Sequence, residues 1–222
     1  MNTDNKGILV IVSGFSGAGK GTLVHELMTR YQNEYALSIS ATTRAPRAGE
    51  QEGVHYFYKS RQEFEAMIAH GDFLEYAQYV NNYYGTPKQY VLDRISEGKN
   101  VLLEIEMQGA MQVKKNFPDT TLIFVSAPSA VELHHRLTGR GTEEADVIAK
   151  RMQRACEEAQ GVEQYDYLLI NDDLDASVTL LHEIITNEKN HDGTKNEPYR
   201  MCNHIPFVDN MRKELKSFSK GE

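Results

Sequence analysis

The chain has 222 residues, 40% of them hydrophobic and 25% charged, proportions that suit one folded domain with insertions and exclude a disordered or disulfide-scaffolded chain. With 24 Lys and Arg against 32 Asp and Glu the formal charge is -8, which speaks against a nucleic-acid binder, and no apolar run approaches the roughly 18 residues that span a bilayer. Two distant cysteines in no zinc spacing, and a start, MNTDNKG, with neither a basic nor an apolar leader, give the expectation of a reducing cytoplasm.

Ile8 to Val12 form an apolar, β-branched run without alternation, the pattern of a strand buried on both faces of a parallel sheet. A glycine cluster follows, and from Thr22 the residues Leu23, Val24, Leu27, Met28 and Tyr31 make a helical stripe. Buried strands recur at 101–103, 122–125 and 167–170, with helical patterns between them at Val131/Leu133/Leu137 and Val178/Leu181/Ile184/Ile185. This alternation predicts an α/β fold with a parallel sheet and helices on both faces. Residues 36–90 break the rhythm. They are rich in Tyr and Gly, with one helical pattern at Phe64/Met67/Ile68, and read as an inserted α+β lobe. The expected organisation is a core of 7–35 and 91–187, a lobe of about 36–90, a lid of about 138–150 around Gly139 to Glu144, and a tail of 188–222. That tail loses periodicity, apart from a short helix predicted over Met211 to Phe218.

Gly14-Phe15-Ser16-Gly17-Ala18-Gly19-Lys20-Gly21-Thr22, between a strand and a helix, has the spacing of a phosphate-binding loop. Glycines let successive backbone N–H groups face phosphate oxygens, the helix start adds its positive dipole end, and Lys20 supplies a mobile ammonium for the β and γ phosphates. Gly21 stands where a magnesium-binding hydroxyl is expected. Thr22 follows one place later, which predicts contact with Mg²⁺ through water. The glycines do not fit the dinucleotide pattern G-x-G-x-x-G.

Further along, Arg44 and Arg47 flank Pro46 in Thr42-Thr-Arg-Ala-Pro-Arg-Ala-Gly-Glu50, followed by Phe73-Leu-Glu75, Asn82-Tyr-Tyr-Gly85, a strand ending Glu104-Ile-Glu106, Arg136-Leu-Thr-Gly-Arg140-Gly, Lys150-Arg151 and Asn171-Asp172. With the loop, this ordered series from about residue 7 to 187 resembles the guanylate kinases. The resemblance implies a nucleoside monophosphate kinase that transfers the γ-phosphoryl of MgATP to GMP, and also to dGMP, in purine nucleotide recycling. By that resemblance Arg44, Arg47, Tyr56 and Tyr84 bind the GMP phosphate, while Ser40, Glu75, Gly85, Thr86 and Glu106 surround guanine. On the ATP side it implies residues 14–22, Arg136, Arg140, Arg151 and Asn171, with Lys20, Arg44, Arg140 and Arg151 serving catalysis and Thr22 and Glu104 the water shell of Mg²⁺.

The residue chemistry agrees. Arginines offer planar, permanently charged forks for phosphate oxygens. Guanine presents adjacent N1–H and N2–H donors that one carboxylate accepts, whereas adenine presents an acceptor there. Plainer readings stand beside these: Arg-x-x-Arg as a solvated pair, the tyrosines as core with Tyr83 the foremost, Arg136 as a helix-surface residue and Asn171-Asp172 as a strand-end turn. Glu104 and Glu106 also depart from the family's usual Asp pair. The intact loop and Lys20 argue against an inactive, peptide-holding relative, and Glu75, useless against a sugar phosphate, argues against a ribose bisphosphate kinase.

Overall fold

The computed structural model describes residues 6–139 and 145–219. Its parallel strands follow the order β2-β7-β1-β8-β9, where β1 is Leu9–Gly14, β2 Tyr35–Leu37, β7 Asn100–Leu103, β8 Thr121–Ser126 and β9 Tyr167–Ile170. Backbone contacts divide the chain into two compact units. One comprises the residues up to Ile11 with Asn33–Thr120, the other Val12–Gln32 with the residues from Thr121 onward.

In the first unit, β7 pairs in parallel with both β1 (Val10 opposite Leu102) and β2 (Ala36 opposite Val101). Every residue of β7 is buried, as its unalternating sequence predicts. A second, four-stranded sheet runs in the order β4-β3-β6-β5, with β3 at Ala41–Thr42, β4 at Phe57–Tyr58, β5 at Phe73–Tyr79 and β6 at Asn82–Pro87. Helix α2 (Arg61–His70) starts at a capping box in which Ser60 and Glu63 satisfy each other's backbone N–H groups, and it ends at Gly71 with φ 73°. Phe64 on α2 is fully buried and stacks on Phe73 and Tyr83, so Tyr83 is a packing residue. Helices α3 (Lys88–Ser96) and α4 (Met107–Asn116) complete the unit.

In the second unit, β8 pairs in parallel with β9, and helices α1 (Lys20–Arg30), α5 (Ala130–Thr138), α6 (Ala145–Glu158), α7 (Leu174–Lys189) and α8 (Ile205–Ser219) pack with them. The expected helix over 131–137 is present as α5, but Val131 is 63% exposed; its buried stripe is Ala130, Leu133 and Leu137, one residue round the helix. The tail corrects a second expectation. Residues 190–204 are not featureless but hold short 3-10 turns at Gly193–Tyr199 and Met201–His204, and α8 starts six residues before the predicted helix. A 3-10 turn of a few residues has too short a run to show periodicity in sequence. Among the described residues, no helix is long and apolar enough to cross a membrane.

Candidate active site

The phosphate-type loop leaves β1 at its C-terminal end and leads into the N-terminus of α1, the strand–loop–helix setting in which backbone N–H groups bind phosphate. Phe15 anchors the loop: its ring is buried and meets Phe124 edge-on at 4.8 Å between centroids. Gly19 has φ 87°, and any Cβ there would stand 2.6 Å from the Asn171 amide, so conformation and space both demand glycine. The Asn171 side chain, 6% exposed, donates from Nδ2 to the Ala18 carbonyl at 2.8 Å. It thus supports the loop from below, a role that its place after a strand did not reveal.

Lys20 Nζ donates to the Gly14 and Phe15 carbonyls at 2.5 and 3.1 Å, folded back over the loop that it would leave for a phosphate. Arg151, on α6, donates to Ser16 Oγ at 3.0 Å. Arg136 is held between Glu132 Oε1 (2.7 Å) and the Asn171 carbonyl (2.8 Å), so it is not a loose surface residue. Thr22 is exposed on the first turn of α1, and a Cβ at Gly21 would meet nothing within 4 Å. Arg140 lies outside the described residues.

The acceptor residues gather in the first unit. β6 pairs with β3 (Thr42 opposite Tyr84) and with β5, where the register shifts between Phe73 and Tyr76. Phe73 faces Pro87 and Tyr76 faces Gly85, so β5 carries one extra residue, a bulge that re-aims Leu74 and Glu75. Glu75 is 9% exposed and its Oε1 accepts from Thr86 Oγ1 at 2.6 Å. Burial raises its pKa above the ordinary carboxylate value, the Thr86 hydrogen bonds offset part of that, and the Glu106 charge adds to it. Gly109, on the first turn of α4, is small enough to let this carboxylate in: a Cβ there would come within 3.3 Å of Oε2. A cavity of about 160 Å³ nearby is lined by Ser40, Tyr56, Thr86 and Glu104, together with Ser38 and His55. Glu106 is exposed as the residue before α4, and Gly85 is buried opposite Tyr76.

Glu50 organises the two arginines. Its carboxylate takes a two-pronged ion pair from Arg44 (2.8 and 3.0 Å), a backbone N–H from Arg47 at 2.7 Å and the Tyr58 hydroxyl at 2.9 Å. The Arg44 hydrogen bonds, then the Arg47 amide, pull the Glu50 pKa down to about 2. The Arg44 guanidinium lies 5.4 Å from the Tyr56 ring centroid, and Tyr56 meets Tyr84 edge-on. The exposed Arg47 side chain makes no hydrogen bond or ion pair with a described residue. The roles of Glu50 and Tyr58 were not read from sequence, although Glu50 stands at a fixed offset from both arginines in the quoted motif.

A guanylate kinase family model matches residues 6–188, and a guanylate kinase of Halalkalibacterium halodurans is 49% identical over 183 residues, 82% of this chain and 89% of that protein. The chain belongs to the guanylate kinase family. The guanylate kinase of Carboxydothermus hydrogenoformans is 50% identical over 185 residues, covering 83% of this chain and 90% of its own. A crystal structure of guanylate kinase from Anaplasma phagocytophilum superposes with a TM-score of 0.62 at 28% identity, covering 83% of this chain and 87% of that one.

Proposed function

We infer that the protein is an ATP:GMP phosphotransferase: a phosphate oxygen of GMP attacks the γ-phosphorus of ATP, that oxygen–phosphorus bond forms as the bond to ADP breaks, and GDP and ADP result. The observation that carries the reading is the buried Glu75 carboxylate, held through Oε1 by Thr86. An ionised acid that is costly to bury has its remaining acceptor capacity for paired N–H donors, and guanine offers them.

The GMP phosphate is ionised near neutral pH, so the nucleophile needs no base and catalysis is positioning and charge neutralisation. On the acceptor side Arg44, Arg47, Tyr56 and Tyr84 hold the phosphate, and Ser40, Gly85, Thr86 and Glu106 complete the guanine site about Glu75. On the donor side the 14–22 loop holds the β and γ phosphates, Lys20 moves from the loop carbonyls onto them, and Arg136, Arg140 and Arg151 spread the developing charge. Residues 36–90 form the GMP lobe; the centre of the expected 138–150 lid lies outside the described residues.

Among the described residues no three His, Cys, Asp or Glu side chains converge to hold a metal. The exposed Thr22 hydroxyl and the open space at Gly21 fit a hydrated Mg²⁺ that enters on nucleotide phosphates. When bound with ATP, Mg²⁺ would supply charge neutralisation for the transferred group, and the Thr22 hydroxyl and the Glu104 carboxylate would each meet it through water. A coupled assay over GMP, dGMP, IMP and AMP tests the reading: GMP and dGMP should lead, IMP follow and AMP trail. An AMP rate equal to the GMP rate would overturn it.

A further inference from the structure

The family match ends at residue 188, but the chain continues into a packed C-terminal segment. Met201, Val208, Met211 and Leu215 are buried, the last three at the i, i+3, i+7 spacing of one face of α8. The helix most extensively packed against α8 is α6, whose Ile148, Met152 and Ala155 are buried at the complementary spacing. Polar contacts fix the register. Arg212 Nε donates to the Ala159 carbonyl at 2.8 Å, one residue past the end of α6, and Arg212 also pairs with Glu163. Glu214 Oε2 accepts the Ala130 N–H at 2.8 Å, at the start of α5, and Phe218 stacks on His134.

Ala159 opens the 3-10 turn Ala159–Gln164 that continues α6, so a guanidinium on its carbonyl that also pairs with Glu163 of the same turn ties that end to α8. Arg151 lies eight residues before Ala159 on the same rod, about 12 Å along its axis at 1.5 Å per residue. Arg151 donates to Ser16 Oγ of the phosphate loop at 3.0 Å.

We propose that Arg212 is a positioning residue for the phosphoryl-transfer reaction: by clamping the far end of α6 to α8 it holds Arg151 against the phosphate loop. An arginine already in place loses less freedom on binding than one recruited from solvent, so the C-terminal segment strengthens the ATP side alone. The proposal rests on Arg151 acting on ATP.

The test is a double-mutant cycle in the full-length chain with Arg212→Gln and Arg151→Ala, reading kcat/KM for ATP, KM for GMP and the melting temperature. Arg212→Gln should lower kcat/KM for ATP by about fivefold, with KM for GMP changed by less than about twofold. In the Arg151→Ala background the same substitution should add less than about 1.5-fold. Equal losses in both backgrounds, equal losses on GMP, or no loss in Arg212→Gln would overturn the proposal. If Arg151→Ala leaves ATP kinetics intact, the assignment of Arg151 falls as well, which separates that failure from this one. Glu163→Gln, which removes the ion-pair partner and keeps Arg212, carries the same cycle with a smaller loss if Arg212→Gln does not fold.

Discussion

The Thr86 hydroxyl donates to Glu75 Oε1 at 2.6 Å inside a lobe where the carboxylate is 9% exposed. The hydrogen bond leaves Oε2 to the ligand and holds down part of the pKa rise that burial imposes. Thr86→Val keeps the shape and deletes the donor. Its GMP affinity should fall by about tenfold, the cost of an unmade buried hydrogen bond to a charged group, while ATP affinity stays constant in calorimetry. A parallel loss for ATP would contradict the separation of the two sites.

Glu75→Gln should narrow the preference for GMP over AMP, chiefly by loss of GMP activity, because an amide presents one acceptor and one donor face. The expected loss on GMP is about tenfold to a hundredfold in kcat/KM. An unchanged GMP-to-AMP ratio would move the choice of base to Ser40, Thr86 or Glu106.

The raised Glu75 pKa also sets a pH dependence. Guanine needs the ionised form, so affinity falls as pH drops through a value above the ordinary 4.5. Guanosine is the probe, since the phosphate of GMP titrates near about 6 and would overlap. Calorimetry should show an acid limb in the wild type and none in Glu75→Gln. For the free protein the sign is opposite: the neutral acid is favoured in the fold, so its contribution is full below 4.5 and is lost as pH rises through the raised value.

Glu50 behaves in the reverse sense. Its pKa falls from 4.5 to about 2 on folding, so its contribution to stability is present above 4.5 and lost as pH falls through about 2. Thermal unfolding of Glu50→Gln should therefore differ from wild type by a constant amount above pH 4.5 and converge with it near pH 2. The same substitution frees the Arg44 guanidinium, and KM for GMP should rise about tenfold while guanosine binding is untouched. Equal losses on guanosine and GMP would show a lobe-wide disturbance instead.

Lys20→Ala should lower kcat at least about a thousandfold with little change in melting temperature, since it removes the mobile cation on the β and γ phosphates. Gly19→Ala should weaken ATP binding for a different reason, through its positive φ and the Asn171 amide 2.6 Å from the new Cβ. Asn171→Ala measured beside it distinguishes the two: relief in the double variant points to the clash, and no relief to the backbone.

The loop was legible in the sequence because a phosphate cradle is built from consecutive backbone groups, and its glycines and lysine must sit at fixed spacing. Core strands were legible for a similar reason, since burial on both faces leaves an unbroken apolar run at 101–103 and 122–125. Glu50 and Asn171 were harder. The role of Asn171 depends on which distant carbonyl the folded chain brings alongside, information that no local window contains. That of Glu50 depends on a turn that folds its carboxylate onto two nearby arginines, which spacing alone does not give. The C-terminal helix did carry a local signal in Pro206 near its start and in the Val208/Met211/Leu215 spacing, masked by the short 3-10 turns before it.

The extra residue in β5 makes acceptor choice a matter of counting as well as chemistry. Deleting Leu74 would restore an even ladder with β6 and remove the bulge that sets the angle at which Glu75 is presented, although every side chain named in base recognition would still be encoded. Transplanting Glu75 and Thr86 into an evenly paired hairpin should for the same reason fail to confer a taste for guanine. Redesign of this enzyme for another base therefore has two independent handles, the letter at position 75 and the length of the strand that presents it.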